Sequence, residues 1–408
     1  MKILWLKSEL LHPVDKGGKI RTYQMLKHLK RDHHITYLSL RNAGLSREAI
    51  NAASEYCNKL ITVSWQEARK FSARFYRELA ANLSSALPYA VEKYRSPLMR
   101  QAIELEVGGG NYDLVVCDFL VPSINMPEKL DCATVLFQHN VESTIWRRHY
   151  ETQSNRIKKA FFYKQWQKME AYERAACRRF DAVIAVSSID RDQMQKEFGL
   201  NEVYDVPTGV DTDYFQPLGG ARPSSEVVFT GSMDWMPNED AVIYFAEKIM
   251  PLISRAVPDV KLTIVGRNPT RRVKAIAEAS PQVKITGRVE DVRPYIDRAA
   301  AYVVPLRVGG GTRLKIYEAM AMEKAVISTS IGAEGLPVRD GEELIIADQP
   351  GEFASAVIRA LTDEAFARKI GHRARAVACD QFGWNVAASV FADVCNRVVR
   401  EGTQRRAA

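Results

Sequence analysis

The stretch Ala300–Ala321, AAYVVPLRVGGGTRLKIYEAMA, is the part of the chain that most clearly combines a fold signal with a ligand signal. Its apolar run Val303–Leu306 predicts a buried strand, and the pattern after it predicts a helix that opens on Thr312. Between the two, Gly309–Gly311 lets a ligand approach the backbone without meeting Cβ atoms. The helix directs free N–H groups and its positive dipole end at this turn, so the stretch predicts a phosphate site.

Charged side chains follow the glycine turn. Arg313 and Lys315 place two cations at the start of the predicted helix, and Glu318 is a carboxylate among apolar neighbours. The chain contains no G-x-x-x-x-G-K-[ST] pattern, so the turn is not a Walker A loop. A tight turn with solvated cations is the alternative to a phosphate site.

The composition indicates a globular protein of more than one domain. A chain of 408 residues exceeds what one core usually holds, and 46% hydrophobic with 26% charged residues is ordinary for a folded protein. The first apolar run, Ile3–Leu6, is too short for a signal peptide, and no run approaches a membrane span, which predicts a cytoplasmic protein. The cysteines form no C-x-x-C pair and the histidines no H-x-x-x-H pattern, which predicts reduced core thiols and no metal site.

The net charge of +8 is concentrated in one segment. Residues Arg147–Arg179 contain ten Lys or Arg against three Asp or Glu. Aromatic residues are interleaved with them: Tyr150, Phe161, Phe162, Tyr163 and Trp166. This combination predicts a surface for anionic lipid headgroups at the inner face of a membrane, and a solvated helix face is the alternative. No aromatic–basic module for nucleic acid is present.

Strand and helix patterns alternate along the chain, which predicts βαβ units and parallel sheets covered on both faces. The alternation lapses in a segment rich in proline and glycine, DVPTGVDTDYFQPLGGARP. We therefore predict an α/β protein with two doubly wound, Rossmann-like domains facing a cleft. The predicted parts are a first domain at 1–205, a linker at 206–223, a second domain at 224–382 and a final helix at 383–408 that returns to the first domain.

Ligands of such sheets bind beyond the carboxyl ends of the strands. This rule groups Gly17–Gly18 in the first strand–helix loop, His139 after a buried strand, and the segment Gly309–Glu318. Asp211-Thr212-Asp213 is similar to a metal-binding D-x-D motif, but it lies in the predicted linker, so we reject it as a metal site.

Several motifs taken together resemble the glycosyltransferases of the GT-B fold, family 4, also called glycosyl transferases group 1. The order and spacing of these motifs along nearly the whole chain carry the resemblance, which is nearest to sugar transferases of polysaccharide biosynthesis. The motifs are Lys16-Gly17-Gly18, Gln138-His139-Asn140-Val141-Glu142, Val206–Phe215, Phe229-Thr230-Gly231, Met233–Ala241 and Gly309–Ala321.

The chain departs from the family pattern at three positions. Many members carry a Glu eight residues before the Glu of EAMA, and here that position is Gly310. Many also carry an Arg and a Lys after the first strand of the second domain, where this chain has Ser232 and Pro237. We infer that Arg313 and Lys315 replace these phosphate-binding cations.

The resemblance implies roles for the candidate residues. Glu318 would accept hydrogen bonds from two ribose hydroxyls, although an ion pair with Lys315 is the alternative. Arg313 and Lys315 would stabilise a leaving diphosphate. His139 would lie beside the donor sugar, and Glu142 would either act there or pair with Arg147 or Arg148. The further substrate-binding positions are Gly17, Gly18, Gly231, Arg288, Val289, Gly309, Gly310, Gly311 and Thr312.

The implied function is that of a retaining, metal-independent glycosyltransferase. It would move a sugar from a UDP- or GDP-linked donor, with no cofactor, to a glycan or lipid-linked acceptor in exopolysaccharide or lipopolysaccharide synthesis. Two alternatives remain open at this point: a GT-B-fold nucleotide or sugar binder without activity, and a nucleotide-sugar epimerase or hydrolase.

Overall fold

The computed structural model of the chain describes residues 1–14, 17–42, 47–69, 71–110, 112–153, 155–219, 225–308 and 314–407. The predicted site residues Gly309, Gly310, Gly311, Thr312 and Arg313, and Lys16 of the first glycine motif, lie outside these ranges. The chain divides into two compact units. Unit 1 comprises Met1–Pro207 with Ala387–Ala408, and unit 2 comprises Thr208–Val386.

Unit 1 contains a seven-stranded parallel sheet in the order β3-β2-β1-β4-β5-β6-β7. Its central strands are mostly apolar because helices cover both faces; all five residues of β4 are buried. The strands are β1 (Lys2–Lys7), β2 (His34–Arg41), β3 (Lys59–Ser64), β4 (Leu114–Asp118), β5 (Ala133–Phe137), β6 (Ala182–Ala185) and β7 (Val203–Asp205). The helices are α1 (Gly17–Leu29), α2 (Arg47–Asn51), α3 (Ala73–Asn82), α4 (Tyr89–Glu92), α5 (Pro97–Gly110), α6 (Glu142–Thr152), α7 (Arg156–Cys177) and α8 (Ser188–Phe198).

Helix starts in unit 1 differ from the sequence pattern where capping decides them. Helix α3 begins at Ala73 because the Ser72 side chain accepts from the N–H of Phe75 at 3.2 Å. Gly17 and Gly18, which we placed in a loop, are the first two residues of α1. Strand β7 was not predicted, because three residues are too few to show a period.

Unit 2 contains a six-stranded parallel sheet in the order β10-β9-β8-β11-β12-β13. The strands are β8 (Glu226–Thr230), β9 (Lys261–Val265), β10 (Val283–Gly287), β11 (Ala301–Val304), β12 (Ala325–Ser328) and β13 (Ile345–Ile346). The helices are α9 (Met236–Tyr244), α10 (Met250–Ala256), α11 (Arg271–Ala279), α12 (Arg293–Arg298), α13 (Leu314–Ala321), α14 (Pro350–Thr362) and α15 (Glu364–Gln381). A π-helical segment, Phe245–Ile249, joins α9 to α10 where the sequence predicts one helix. Pro251 follows it, and the missing N–H of a proline favours such a break.

The last helix, α16 (Trp384–Ala407), belongs to unit 1 from Ala387 onwards. Its Phe391 ring packs 5.5 Å from Trp5 of β1 and 5.1 Å from Phe137 of β5, measured between ring centroids. The predicted fold class, two doubly wound parallel-sheet domains with a helical C-terminus, is confirmed. The domain boundaries drawn from the sequence stay predictions. Within the described ranges, no helix is both long enough and apolar enough to cross a membrane.

Candidate active site

The carboxyl ends of three neighbouring strands in unit 1 bring together Lys7 of β1, Asp118 of β4 and His139 after β5. All three side chains are buried, at 2%, 0% and 2% exposure. Asp118 Oδ2 accepts from Lys7 Nζ at 2.8 Å, and Asp118 Oδ1 lies 2.8 Å from His139 Nε2. Oδ2 also accepts from Trp5 Nε1 at 3.0 Å and from Thr22 Oγ1 of α1 at 2.7 Å. The sequence rules predict His139 beyond the carboxyl end of a strand, where the structure has it, but they missed its charged neighbours.

Burial and mutual attraction set the charge state of this cluster. Burial alone would raise the pKa of Asp118, but the charges of Lys7 and His139 hold that pKa below its usual value. Burial lowers the pKa of Lys7, and Asp118 opposes this shift. Burial lowers the pKa of His139 to about 3 against the opposing effect of Asp118, so the imidazole is neutral near pH 7. Nε2 lies 2.8 Å from a carboxylate oxygen whose charge favours an N–H there, so we assign the proton to Nε2, which leaves Nδ1 as an acceptor. The contact is not an aligned hydrogen bond, because Nε2, Nδ1 and Asp118 Oδ1 all lack a hydrogen-bond partner within the described part of the chain.

Aromatic packing fixes the His139 ring. Phe119 stacks on it with ring centroids 3.8 Å apart and an interplanar angle of 25°. Phe119 has φ +76°, a left-handed conformation that is strained for a bulky residue and is typical of functional positions. A Cβ atom on Gly18 would lie 2.7 Å from Phe119 Cζ. Gly18 therefore lets α1 pack directly over this ring, whereas Gly17 beside it is exposed.

Glu173 of α7 holds the loop that carries His139, and the sequence analysis did not find it. Its carboxylate is fully buried and accepts from Gln138 Nε2 at 3.0 Å and from the backbone N–H groups of Glu142 and Ser143, each at 2.8 Å. Burial raises the pKa of Glu173 to about 7, and the hydrogen bonds from Ser143 oppose this shift. Glu173 thus caps the N-terminus of α6 and positions the His139 loop.

Glu142 is half-buried at the start of α6. Burial raises the pKa of its side chain to about 7, and a hydrogen bond from Asn140 opposes the shift. We had considered Arg147 and Arg148 as partners of this carboxylate. The structure places Asn140 against it, while the Glu142 backbone N–H is bound by Glu173.

In unit 2 the equivalent strand ends are glycines. Gly231 and Gly266 directly follow β8 and β9, and Gly287 is the last residue of β10; these three strands are adjacent in the sheet. The N–H of Gly266 donates to the carbonyl of Gly287 at 3.1 Å, and a Cβ atom on Gly266 would lie 1.7 Å from the Gly231 carbonyl oxygen. Gly231 and Gly287 have φ +154° and +72°. Gly266 and Gly231 are therefore required by close packing within this edge, whereas the backbone of Gly287 has open space beside it.

Lys315 of α13 reaches the β8–α9 turn. Its Nζ donates to Asn238 Oδ1 at 2.8 Å and lies 4.1 Å from the ring centroid of Phe229. Asn238 Nδ2 in turn donates to the Ser232 carbonyl at 2.9 Å. A Cβ atom on Gly231 would lie 2.8 Å from Lys315 Nζ. A cation is therefore present at the turn where Ser232 and Pro237 replace the basic residues of the family.

Arg267, which follows β9, is a second cation at this turn that the sequence analysis missed. Its Nε donates to Ser232 Oγ at 3.1 Å. The signal for it is its position directly after Gly266. The two residues predicted from the β10 end behave differently from each other: Arg288 is exposed, and Val289 is half-buried against the apolar core.

Glu318 lies one turn after the first described residue of α13, Leu314, and is half-buried. Burial raises the pKa of Glu318 to about 7, and the charge of Lys315 opposes this. The hydroxyls of Tyr302 in β11 and Thr230 at the end of β8 lie 2.5 Å apart. Burial raises the pKa of Tyr302, and the Glu318 carboxylate adds to that shift. Gly231, Lys315 and Glu318 therefore belong to one edge of unit 2.

The D-x-D segment forms a local turn. Asp211 Oδ1 accepts from the N–H of Tyr214 at 3.0 Å, and the Asp211 carbonyl accepts from the N–H of Phe215 at 2.8 Å. Within the described ranges, no group of three or more His, Cys, Asp or Glu residues could hold a metal ion.

Two doubly wound units, each with candidate residues at the carboxyl ends of its strands, have the architecture of the GT-B class, and solved structures share this fold. Sucrose-phosphate synthase from Thermosynechococcus elongatus superposes with a TM-score of 0.70 at 18% identity, covering 98% of this chain and 99% of that one. HepE from Anabaena, in complex with UDP, superposes with a TM-score of 0.68 at 14% identity, covering 97% and 100%.

Two family models match the sequence. The model described as "Glycosyltransferase Family 4" matches residues 16–214, and the model described as "Glycosyl transferases group 1" matches residues 224–363. The chain belongs to this family of glycosyltransferases.

Two relatives are 25% and 28% identical to this chain. An "uncharacterized 44.6 kDa protein in cps region" of Klebsiella pneumoniae is 25% identical over 372 residues, which cover 88% of this chain and 90% of that protein. A phosphatidyl-myo-inositol mannosyltransferase of Mycobacterium tuberculosis is 28% identical over 233 residues, which cover 54% of this chain and 61% of that enzyme.

Proposed function

We propose that the protein transfers a sugar from a nucleotide-sugar donor to a hydroxyl of a glycan or lipid-linked acceptor, with retention of anomeric configuration. The observation that carries this proposal is the position of Lys315, whose Nζ lies beside Gly231 and Asn238, with Glu318 one turn later in the same helix. A cation at glycine strand ends suits a diphosphate, and a nearby carboxylate suits the two hydroxyls of a ribose.

The donor would bind to unit 2. Glu318 would accept hydrogen bonds from the ribose, and Lys315, with Arg267 and Arg313, would neutralise the charge that develops on the leaving diphosphate. These protein cations would replace a metal ion in that role. HepE is described in complex with UDP and UDP-glucose, and a mycobacterial relative is named as GDP-mannose-dependent, so UDP and GDP sugars are the donors to test first.

His139 would support the donor sugar through its Nδ1 atom. The neutral ring presents a lone pair there, and among the described residues Nδ1 has no hydrogen-bond partner although it is buried. A sugar hydroxyl would supply the missing donor. The residues supply no covalent nucleophile in this scheme. The anomeric carbon–phosphate oxygen bond would break while the acceptor oxygen bonds to the same face, and the acceptor proton would pass to the departing phosphate oxygen.

The process served is exopolysaccharide or lipopolysaccharide synthesis at the cytoplasmic face of a membrane. The Klebsiella relative named for the cps region supports a polysaccharide role. Helices α6 and α7 support membrane contact: Tyr150 stacks on Trp166 with centroids 5.8 Å apart, Lys159 Nζ lies 5.1 Å from the Tyr150 centroid, and Ile157 is 84% exposed. Such an apolar and basic surface favours anionic headgroups.

A thermal-shift panel of UDP, GDP, ADP and dTDP sugars tests the donor site, since a true donor raises the melting temperature by binding the folded state. For the nucleotide that binds best, Glu318→Ala should raise Kd at least about tenfold, because hydrogen bonds to a charged group contribute about 1.5–3 kcal/mol each. Glu352→Ala, an exposed carboxylate on α14, is the matched control and should leave Kd unchanged. An unchanged Kd in Glu318→Ala removes the ribose assignment.

The same donor then enters transfer assays with an acceptor panel in EDTA, where activity should persist. Binding without turnover on any acceptor would favour a catalytically inactive binding protein. Turnover without an acceptor would favour a hydrolase or an epimerase. Loss of activity in EDTA with recovery in Mg²⁺ or Mn²⁺ would overturn the metal-free mechanism.

A further inference from the structure

A cavity of about 620 Å³ lies in unit 1, at the carboxyl end of the edge strand β3. It is separate from the Lys7–Asp118–His139 cluster, and none of the roles assigned above uses it. Its size falls in the range of about 300–1,000 Å³ typical of small-molecule sites. Its described lining includes the turn after β3, helices α3 and α4, and the start of α5. The side chains used below are Trp65, Glu67, Arg74, Glu78, Glu92, Lys93 and Arg95.

One wall of the cavity is aromatic. Trp65 follows β3 directly, and its N–H donates to the Arg41 carbonyl at 3.0 Å, which fixes its backbone to the sheet. The Tyr94 ring stacks on the Trp65 ring, with centroids 4.9 Å apart and an interplanar angle of 15°. Trp65 is half-buried and packs against the apolar core of unit 1, so it is held rigidly and lines the cavity with the part of its flat ring surface that remains accessible. Such a surface binds the C–H face of a sugar ring, because its electron-rich face attracts polarised C–H groups.

The polar side chains of the described lining are balanced in charge. Lys93 Nζ lies 2.5 Å from Glu67 Oε1, and Arg74 Nε lies 2.8 Å from Glu78 Oε1. The lining also includes Arg95, which is exposed, and Glu92. The described lining therefore has three cations and three carboxylates. A phosphate or an anionic headgroup gains little from a lining without net charge. Hydroxyl groups both donate and accept, so they can use the remaining capacity of such pairs.

Buried hydrogen bonds preform the cavity. Asn82 is 2% exposed; its Nδ2 donates to the Leu87 carbonyl at 2.9 Å and its Oδ1 accepts from Gln165 Nε2 of α7 at 2.8 Å. Gln165 Oε1 accepts from the N–H of Tyr89 at 2.9 Å. This network ties α3 and α4 to α7. A preformed site of this kind binds without a large ordering cost.

The strand order sets how far the cavity lies from the His139 cluster. Strand β3 is two positions from β1 and four from β5. With about 4.8 Å between neighbouring strands, the end of β3 lies roughly 10 Å from the end of β1 and roughly 19 Å from the end of β5. A span of this size exceeds one sugar ring. A sugar in the cavity therefore cannot be the one whose hydroxyl reacts beside His139.

We propose that this cavity binds a neutral sugar residue of an oligosaccharide acceptor, at least one residue away from the reacting hydroxyl. The proposal rests on the proposed transferase function and specifies its acceptor as a glycan chain that spans several sugars. It follows that long acceptors bind better than short ones, and that this preference depends on Trp65.

The test measures binding of neutral oligosaccharides, from mono- to hexasaccharides of several linkage types, first on a glycan array and then by titration calorimetry. Wild-type protein should bind chains of three or more sugars and show little binding of monosaccharides. Trp65→Leu, which keeps an apolar side chain without a flat ring, should raise Kd at least about tenfold. Trp65→Tyr should retain most of the affinity. Tyr76→Ala is the matched control, since this exposed aromatic of α3 does not line the cavity.

Nucleotide binding is measured on the same variants and should not change. This separates the two proposals: a wild-type protein that binds no nucleotide sugar contradicts the donor assignment, whereas a wild-type protein that binds no oligosaccharide contradicts only the cavity assignment. Circular dichroism reports whether each variant is folded. If Trp65→Leu does not fold, the affinity of Trp65→Tyr relative to wild type remains the test. The proposal is overturned by equal affinities of wild type and Trp65→Leu, by no binding across the array, or by Trp65-dependent binding of inorganic phosphate or anionic vesicles instead.

Discussion

Units 1 and 2 have the same kind of parallel sheet but present different chemistry at its carboxyl edge. In unit 1 the ends of β1 and β4 carry Lys7 and Asp118, which neutralise each other away from water at 2.8 Å. In unit 2 the ends of β8, β9 and β10 carry glycines, and the charge arrives from Lys315 on a following helix. In unit 1 the charged side chains at the edge are paired with each other. In unit 2 the glycines at the edge have no side chains, and the charge beside them is on the flexible side chain of Lys315.

This difference shows what each edge is suited to hold. A buried ion pair has little net effect on stability, but removal of one partner leaves an unpaired buried charge. Such a network fixes the geometry around His139, and removal of any one charged side chain destabilises it. Glycine ends have no side-chain chemistry of their own, so a ligand must supply the polar groups. The comparison therefore predicts that loss of a charged side chain costs more stability at the edge of unit 1, and that mutations at the edge of unit 2 also weaken ligand binding.

The largest expected effect is that of Asp118→Ala. Because Lys7 would remain buried with the Thr22 hydroxyl beside it but without its paired carboxylate, the free energy of unfolding should fall by about 3–5 kcal/mol. The control in unit 2 is Asp240→Ala, which breaks the more exposed pair with Arg307 and should cost at most about 1 kcal/mol. Urea denaturation followed by tryptophan fluorescence measures both. Similar losses in the two variants would remove the distinction drawn between the two edges.

The second effect compares two glycines. In Gly266→Ala the new Cβ would lie 1.7 Å from a backbone oxygen, whereas in Gly18→Ala it would lie 2.7 Å from the Phe119 ring, which can turn aside. Gly266→Ala should therefore destabilise by about 1–3 kcal/mol and Gly18→Ala by less. Gly266→Ala should also weaken nucleotide binding, measured by calorimetry. A larger loss of nucleotide affinity in Gly18→Ala than in Gly266→Ala would reverse the assignment of the donor to unit 2.

The smallest effect is a pH dependence in unit 2. Burial raises the pKa of Glu318 to about 7, so the side chain is mostly protonated at pH 6 and mostly a carboxylate at pH 8. Only the carboxylate accepts from both ribose hydroxyls, so nucleotide affinity should rise roughly tenfold across this interval. Glu318→Gln should flatten the change, and it also corrects for titration of the nucleotide itself. A slope equal to that of wild type in the variant would disprove the assignment.

The same raised pKa has a consequence for the free protein. Between the ordinary pKa of a Glu and about 7, the folded state binds the proton more tightly than the unfolded chain. This contribution to stability is therefore present at acid pH and is lost as the pH rises through about 7. In unit 1, the pKa values of Glu142 and Glu173 are also raised to about 7, so these two groups add to the same dependence. His139, with a pKa lowered to about 3, and Asp118, with a pKa below its usual value, do not change their charge in this interval.

The sequence predicts the sheets well because strands buried on both faces read as short apolar runs, such as Ala133–Phe137. It also predicts which edge of each sheet carries the candidate residues, because in parallel sheets this is the edge at the carboxyl ends of the strands. Lys7 and Asp118 could have been predicted from the sequence, because each is a charged residue at the carboxyl end of a mostly apolar strand. Glu173 could not have been predicted in this way, because its role depends on α7 packing against the loop that carries His139. In the segment counted only as basic and aromatic, buried Gln165 and Glu173 serve the interior of unit 1.

Helix α16 has a consequence for the order in which the protein is made. Unit 1 is completed only when Phe391 covers Trp5 and Phe137, yet the ribosome must first synthesise all of Thr208–Val386. At about 5–20 residues per second, that stretch takes roughly 10–40 s. During this time the apolar face of the first sheet lacks its last helix, so the nascent first domain is a natural client for chaperones that bind exposed apolar surface.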